Sequence, residues 1–289
     1  MKKKVIKDKL GYIKVKENPS KQELKNYYEK KYYNQEKNYK KKYSIEEINY
    51  IKNKLNQKYI LVKNNLGDNK KKLLELGSGE GWVLDKFNKN GFEVVGIDYS
   101  NVGCKNQNPH ILDKMITGDL EDYIYNFDEN SFDIIWLENV LEHVLEPKKL
   151  IKNLFKILKK EGLIAVVVPN DFSIVQKDLI KRDKLKNNEY WVSPPDHLSY
   201  FNKDSLVNIF SNYKFKLLDM ISDFPIDLEL YSESTNYIDN PKLGSKAHQK
   251  RMEIENLFSS ISDEKTNNLF RAFADLGIGR DLFAIFKKI

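Results

Sequence analysis

The stretch LLELGSGEGW, Leu73–Trp82, sets a short apolar run directly before three glycines at alternate positions, Gly77, Gly79 and Gly81. Ser78 and Glu80 lie between the glycines, and a carboxylate, Glu75, stands two residues ahead of the first. Glycines behind a strand let the chain turn tightly and bring backbone N–H groups close to a ligand at the start of the next helix. Outward from this loop the pattern repeats. EVVGID (93–98), KMITGD (114–119), FDIIWLE (132–138) and LIAVVVP (163–169) are further apolar runs, separated by polar or amphipathic stretches of helix length. Strands covered on both faces read as nearly continuous hydrophobics, so the alternation predicts parallel strands joined by crossover helices, an α/β core. The clearest crossover is PKKLIKNLFKILKKEG, where Leu150, Ile151, Leu154, Ile157 and Leu158 form one apolar face and Gly162 is expected to stop the helix. FKLLDMIS (215–222) and RDLFAIFKK (280–288) read as two more strands, with a helical insertion, residues 224–278, between them.

The side chains of the glycine loop choose among ligands. A dinucleotide loop prefers G-x-G-x-x-G, whereas here the third glycine comes one position early and Trp82 follows. A phosphate-gripping loop ends in Gly-Lys-Ser or Gly-Lys-Thr, and neither the cation nor the hydroxyl is present. Glu75 and Glu80 would instead repel a pyrophosphate. Acids beside a bare backbone suit a cation, and S-adenosylmethionine combines an adenosine with an ammonium and a sulfonium and has no phosphate. Asp98, at the end of the next strand, is placed to take ribose hydroxyls, its plain alternative being a cap on the following helix. Tyr99 offers a ring face to adenine. Asp119 and Leu120 lie just past the third strand, where a carboxylate can reach the adenine amine.

Composition narrows the classes. With 289 residues and 40% apolar content the chain reads as one main core with appendages. A single cysteine, Cys104, excludes an intramolecular disulfide and any Cys-rich zinc module. His110, His143, His197 and His248 show no metal-ligand spacing, so no metal is expected. LIAVVV (163–168) is too short to span a bilayer, and a reducing cytoplasm is the expected location. The net charge of +7 conceals an asymmetry, because residues 1–72 hold 22 lysines against 8 acidic side chains. That arm reads as a solvated helical surface, with a patch for nucleic acid or a phosphorylated substrate as the alternative. SKQE (20–23) and SIEE (44–47) each place a serine three residues before a glutamate, the pattern of a capped helix start. Tyr27, Tyr28, Tyr32 and Tyr33 form a stripe suited to packing. The expected division is a helical arm over 1–65, a core over 66–223 and 279–289, and the insertion 224–278.

Glu75-x-Gly77-x-Gly79-x-Gly81, Asp98, Gly118-Asp119 and FDIIWLENVLEHV resemble, in order and spacing, the motifs of class I, Rossmann-like S-adenosylmethionine-dependent methyltransferases. The resemblance covers residues 70–170 most strongly. It implies a seven-stranded sheet in the order 3-2-1-4-5-7-6 with helices on both faces and an antiparallel last strand, and it puts Glu138 near the methionine portion of the cofactor. More loosely, PPDHLSYF, LGIGRDLFAIF and the tyrosine-rich arm are similar to bacterial small-molecule methyltransferases, including those acting on sugars in surface-polysaccharide and glycan biosynthesis. The expected reaction is methyl transfer to an O or N atom of a small polar acceptor, a sugar or nucleotide-sugar. The alternatives are an RNA methyltransferase using the basic arm and a cofactor-binding scaffold without catalysis.

Methyl transfer from a sulfonium is an in-line displacement in which alignment and exclusion of water supply much of the acceleration. An oxygen nucleophile also benefits from a base. His197, in WVSPPDHLSYF, is one candidate: Pro194 and Pro195 would stiffen its loop over the carboxyl-end crevice, the alternative being a structural anchor. His143, in ENVLEHVLEP, is the other, within one or two helical turns of Glu138. Tyr190, Trp191 and Tyr200 read either as acceptor walls or as packing. The fourth strand ends in WLEN, not in an Asn-Pro-Pro-Tyr type sequence, so the DNA base-amine enzymes are a poor match. Cys104 is not preceded by proline, which argues against a cysteine nucleophile for pyrimidine C5.

Overall fold

A computed structural model describes residues 5–28, 42–67, 71–187 and 189–289. Tyr32 and Tyr33 of the tyrosine stripe lie outside the described residues. The chain opens with β1 (Val5–Lys7) and β2 (Ile13–Val15), followed by α1 (Lys21–Tyr28) and α2 (Ile45–Asn65). Both helices start at the expected serines. Ser44 Oγ accepts from Glu47 N while the Glu47 carboxylate accepts from Ser44 N, and Ser20 and Glu23 repeat the exchange. The core then runs β3 (Lys72–Leu76), α3 (Trp82–Lys89), β4 (Glu93–Asp98), α4 (Val102–Gln107), β5 (Met115–Thr117), α5 (Leu120–Ile124), β6 (Phe132–Glu138), α6 (Pro147–Ile157), β7 (Leu158–Pro169) and α7 (Ile174–Lys181). After these come β8 (Ser199–Tyr200), α8 (Lys203–Ser211), β9 (Phe215–Ser222), α9 (Gly244–Ile261), α10 (Asp263–Leu276) and β10 (Asp281–Lys288).

Seven strands form one sheet in the order β5-β4-β3-β6-β7-β10-β9. Counted within the sheet, that order is 3-2-1-4-5-7-6, and β10 is antiparallel to both neighbours, as expected. The period-2 alternation of each strand divides the core between two faces. Ile134 and Trp136 join Leu73, Leu163 and Val167 beneath α2, α3 and α10, while Ile135 and Leu137 join Leu74, Ile164 and Val166 beneath α6 and α8. On α6 the buried side chains Leu150, Ile151, Leu154 and Ile157 recur at helical spacing. Each contributes about 1.5–3 kcal/mol by leaving water.

Two expectations are corrected here, and one open choice is narrowed. α6 ends at Ile157, so Leu158 opens β7 and Gly162 lies inside that strand. The turn after the helix is made by Glu161 at φ 59°, and a Cβ on Gly162 would fall 2.7 Å from Leu158 Cγ, so the glycine serves a close approach in place of a helix stop. The N-terminal arm is not wholly helical: β1 and β2 pair as a hairpin, and β2 pairs with β8 to form a second, three-stranded sheet. Tyr190, Trp191 and Tyr200 belong to the apolar cluster behind that sheet, with Phe172, Leu179 and Leu198, and their job there is packing.

Candidate functional site

The parallel strands end on one side of the sheet, where Gly77 follows β3, Asp98 ends β4, Asp119 follows β5 and Glu138 ends β6. The glycine loop is held by its neighbours: Gly77 N and Ser78 N both donate to Ile97 O (2.8 and 3.2 Å), and Gly81 N donates to Ser78 O (2.8 Å). Gly77 and Gly79 both sit at positive φ, 72° and 49°. They are glycines for different reasons. A Cβ on Gly77 would fall 2.5 Å from Val140 Cγ2, whereas one on Gly79 would meet no atom within 4 Å and would project into open space. Gly81 is the N-cap of α3.

Two cavities meet at this loop, sharing Gly77, Gly79 and Asn139 in their walls. One, of about 250 Å³, is lined by Asp98, Tyr99, Asp119, Leu120 and His143 together with Tyr28 from α1. The other, of about 440 Å³, is lined by Glu75, Ser78, Glu138 and, from α2, Tyr50, Lys54 and Lys58.

The carboxylates differ in what they are bonded to. Asp98 Oδ2 accepts from Gly79 N (2.8 Å) and Oδ1 from Ser100 N (2.9 Å), so this side chain ties the glycine loop to the end of β4. Burial pushes its carboxyl above the usual range, and the backbone N–H groups offset only part of that. Glu138 is opposed by burial too, but the Lys58 ammonium paired with Oε1 outweighs it and holds the carboxyl below the usual range, while Trp136 Nε1 donates to Oε2 (3.1 Å). Glu75 has less help: the Leu84 N–H and the Lys58 charge favour its ionised form but are outweighed. It is buried, its Oε2 has no hydrogen-bond partner, and burial followed by the charges of Glu138 and Asp98 raises its carboxyl well above the ordinary value of 4.5. Glu80 lines the larger cavity as well, its carboxylate already accepting from Tyr43 Oη and Trp82 Nε1 at 2.8 Å each. Asp119 Oδ1 accepts from Glu121 N (2.9 Å) as the N-cap of α5, and Tyr99 is stacked on Tyr28 with centroids 5.6 Å apart, so one of its faces is already covered.

The histidines split. His143 is on the wall of the smaller cavity, and its Nδ1–H donates to Asp196 O (2.6 Å). His197 meets His143 edge-on, with ring centroids 4.8 Å apart. The spacing of the histidines in the chain carries no metal signal, yet folding brings donor atoms of Glu142, His143 and His197 within 4.8 Å of one another. Lys58 is the wall residue that sequence reasoning missed. It interrupts the inward stripe Leu55, Lys58, Leu61 and Val62 of α2, and a lysine at an apolar stripe position was the available signal.

The methyltransferase domain family matches residues 50–219, more than half of the chain and the whole of the glycine-loop region. The chain belongs to that family. Among curated relatives, the mitochondrial ubiquinone biosynthesis O-methyltransferase of Bos taurus is 30% identical over 107 residues, 34% of this chain and 29% of that protein. The ubiquinone biosynthesis O-methyltransferase of Pasteurella multocida is 29% identical over 107 residues, 32% of this chain and 44% of that protein. The matched segment thus spans less than half of those relatives. In fold, the chain resembles a solved S-adenosylmethionine-dependent methyltransferase of Archaeoglobus fulgidus, with a TM-score of 0.51 and 16% identity over 82% of this chain and 94% of that one. The sheet order is that of class I, and the cofactor is S-adenosylmethionine. Among the described residues, no helix is long and apolar enough to cross a membrane.

The cavity walls fit that cofactor. An orphaned, buried Glu75 oxygen calls for a cation, Lys58 offers a cation for a carboxylate, and Gly79 leaves the loop open for close approach. Gly79→Ala should therefore bind S-adenosylmethionine at least about tenfold more weakly, by calorimetry, while unfolding within about 1–2 kcal/mol of the parent, the cost of a left-handed alanine.

Proposed function

We propose that the protein transfers the methyl group of S-adenosylmethionine to a hydroxyl oxygen of a small acceptor. The observation that carries this reading is a continuous wall running from the unpartnered Glu75 carboxyl, past Gly77 and Gly79, to His143. When bound, the cofactor supplies an electrophilic methyl on a sulfonium sulfur. Glu75 and Lys58 hold its ammonium and carboxylate, Asp98 its ribose, and Asp119 with Leu120 its adenine. His143, oriented by the Asp196 carbonyl, acts on the acceptor hydroxyl.

Leu24, Tyr28, Val140, Val144 and Leu145 give the acceptor side of the cavity apolar walls, which suit a phenolic hydroxyl, and the curated relatives are named as O-methyltransferases. Lys21 and Lys25 in the same wall favour the second reading, a phosphorylated sugar or nucleotide-sugar. Release of S-adenosylhomocysteine with phenols and with nucleotide-sugars separates the two. Absence of cofactor binding and of release with every acceptor would sink both. His143→Ala should lower turnover by about 100-fold with cofactor affinity unchanged; normal turnover would remove His143 from the chemistry.

A pH dependence follows from Glu75. Its folded carboxyl is raised, so its contribution is at full strength below 4.5 and declines as the pH climbs from there toward the folded value. A bound cation favours the ionised form, so cofactor binding should release a proton wherever the raised carboxyl is still protonated and should tighten as pH rises from 4.5 toward the folded value. Calorimetry in two buffers of different ionisation enthalpy measures that proton, and Glu75→Gln should abolish its release.

A further inference from the structure

Glu142 is a buried charge-bearing group with no assigned work. It is 1% exposed, and neither carboxyl oxygen has a hydrogen-bond partner. Burial raises its carboxyl well above the ordinary range, and Asp171, Asp281 and Asp196 push in the same direction. The fold nevertheless builds its surroundings with care. Leu198 N and Ser199 N both donate to the backbone oxygen of Glu142 (2.8 and 3.0 Å), which lays the segment carrying His197 against the segment carrying Glu142 and His143. The strand β8 that begins there is fixed in turn by β2.

The donor atoms are in a usable state. A carbonyl can only accept, so the 2.6 Å contact to Asp196 O puts the proton of neutral His143 on Nδ1 and leaves Nε2 with its lone pair, 3.8 Å from Glu142 Oε1. A backbone carbonyl on the far nitrogen is the arrangement that orients histidine ligands in metal sites. One donor from each of Glu142, His143 and His197 lies within 4.8 Å of the others. Side-chain rotations that close these gaps by about an ångström bring all three to the roughly 2.0–2.2 Å at which imidazole and carboxylate bind zinc.

We propose that Glu142, His143 and His197 bind one divalent transition-metal ion of the zinc type. Two imidazoles and a carboxylate are the donor set that favours such an ion over magnesium or calcium, which prefer all-oxygen sites. Three protein ligands leave a coordination position open. Because His143 is also on the wall of the smaller cavity, that position is available to an oxygen of the acceptor; with Nε2 on the metal, His143 would act on the acceptor through the ion and not as a free base, a role that rests on the methyl-transfer reading, although metal binding itself does not.

Titration of the chelator-treated protein with Co²⁺, followed by visible absorption, tests the site without reference to activity. The wild type should take up one equivalent with ligand-field bands, and Glu142→Gln and His197→Gln should each weaken uptake by roughly 100-fold or more, since loss of an outer-shell partner alone costs 10–100-fold. Circular dichroism identifies any variant that does not fold, and the wild-type titration stands without it. No ligand-field band in the wild type, or unchanged affinity in both folded variants, overturns the proposal. S-adenosylmethionine calorimetry on the same samples keeps the two readings apart: loss of cofactor binding with Co²⁺ uptake intact counts against methyl transfer alone.

Discussion

Asp98→Ala is expected to reduce binding of S-adenosylmethionine by about 100- to 10,000-fold while leaving the protein folded. The carboxylate does two jobs that one substitution removes together. It accepts Gly79 N and Ser100 N, and it faces the smaller cavity as the candidate acceptor for the ribose. Without it two backbone donors lose their partner and the glycine loop loses its tie to β4. A hydrogen bond to a charged group contributes about 1.5–3 kcal/mol, so two such bonds account for about 3–6 kcal/mol, and each 1.4 kcal/mol is tenfold in affinity. Titration calorimetry reads the result directly, and an affinity within threefold of the parent would remove Asp98 from the cofactor site. Asp98→Asn keeps one acceptor oxygen and should fall between the two.

The second large effect concerns stability. Asp223, just past β9, accepts from Lys54 Nζ of α2 at 2.8 Å, from Arg251 of α9, and from the backbone N–H groups of Arg280 and Asp281 at 3.1 and 2.9 Å. Burial opposes its ionisation, but the Arg251 and Lys54 cations outweigh it and hold its carboxyl well below the ordinary range. Asp223→Ala removes the carboxylate that Lys54 and Arg251 both contact, leaving Arg251 with Glu255 (2.9 Å) and Asp281 (3.6 Å), and breaking such a network costs about 3–5 kcal/mol. A urea transition with an unchanged slope and a midpoint shifted accordingly is the expected observation. Burial makes the loss nearly independent of salt, and a shift under 1 kcal/mol would mean that Arg251 and Lys54 find other partners. The depressed carboxyl sets the sign of the acid response: the wild-type contribution is complete above 3.8 and is lost as the pH falls below that value.

The candidate site was legible in proportion to how local its determinants are. Gly77, Gly79 and Gly81 announced the loop because their spacing is itself the structural requirement. Asp98 and Asp119 followed, since strand ends of a parallel sheet converge on one edge. Composition says that the loop is acidic but not how its acids are partnered: Tyr43 and Trp82 hold the Glu80 carboxylate at the wall of the larger cavity, whereas Glu75 Oε2 has no hydrogen-bond partner. Tyr99 lines the smaller cavity, yet its pairing with Tyr28 came from a helix whose docking no spacing rule reports.

What the sequence determined by itself is the run of parallel strands and the position of the glycine turn, because hydrophobic period and backbone permissiveness are properties of neighbours in the chain, while the strand order was implied by the resemblance of its motifs to class I methyltransferases. Only the tertiary structure decided that Lys58 closes one cavity, that Glu142 and two histidines converge behind the other, and that Asp223 gathers cations from two helices. Those meetings bring in partners from 28 to 169 positions away, and the energy that selects them, desolvation balanced against pairing, exists only once the surrounding surfaces have left water.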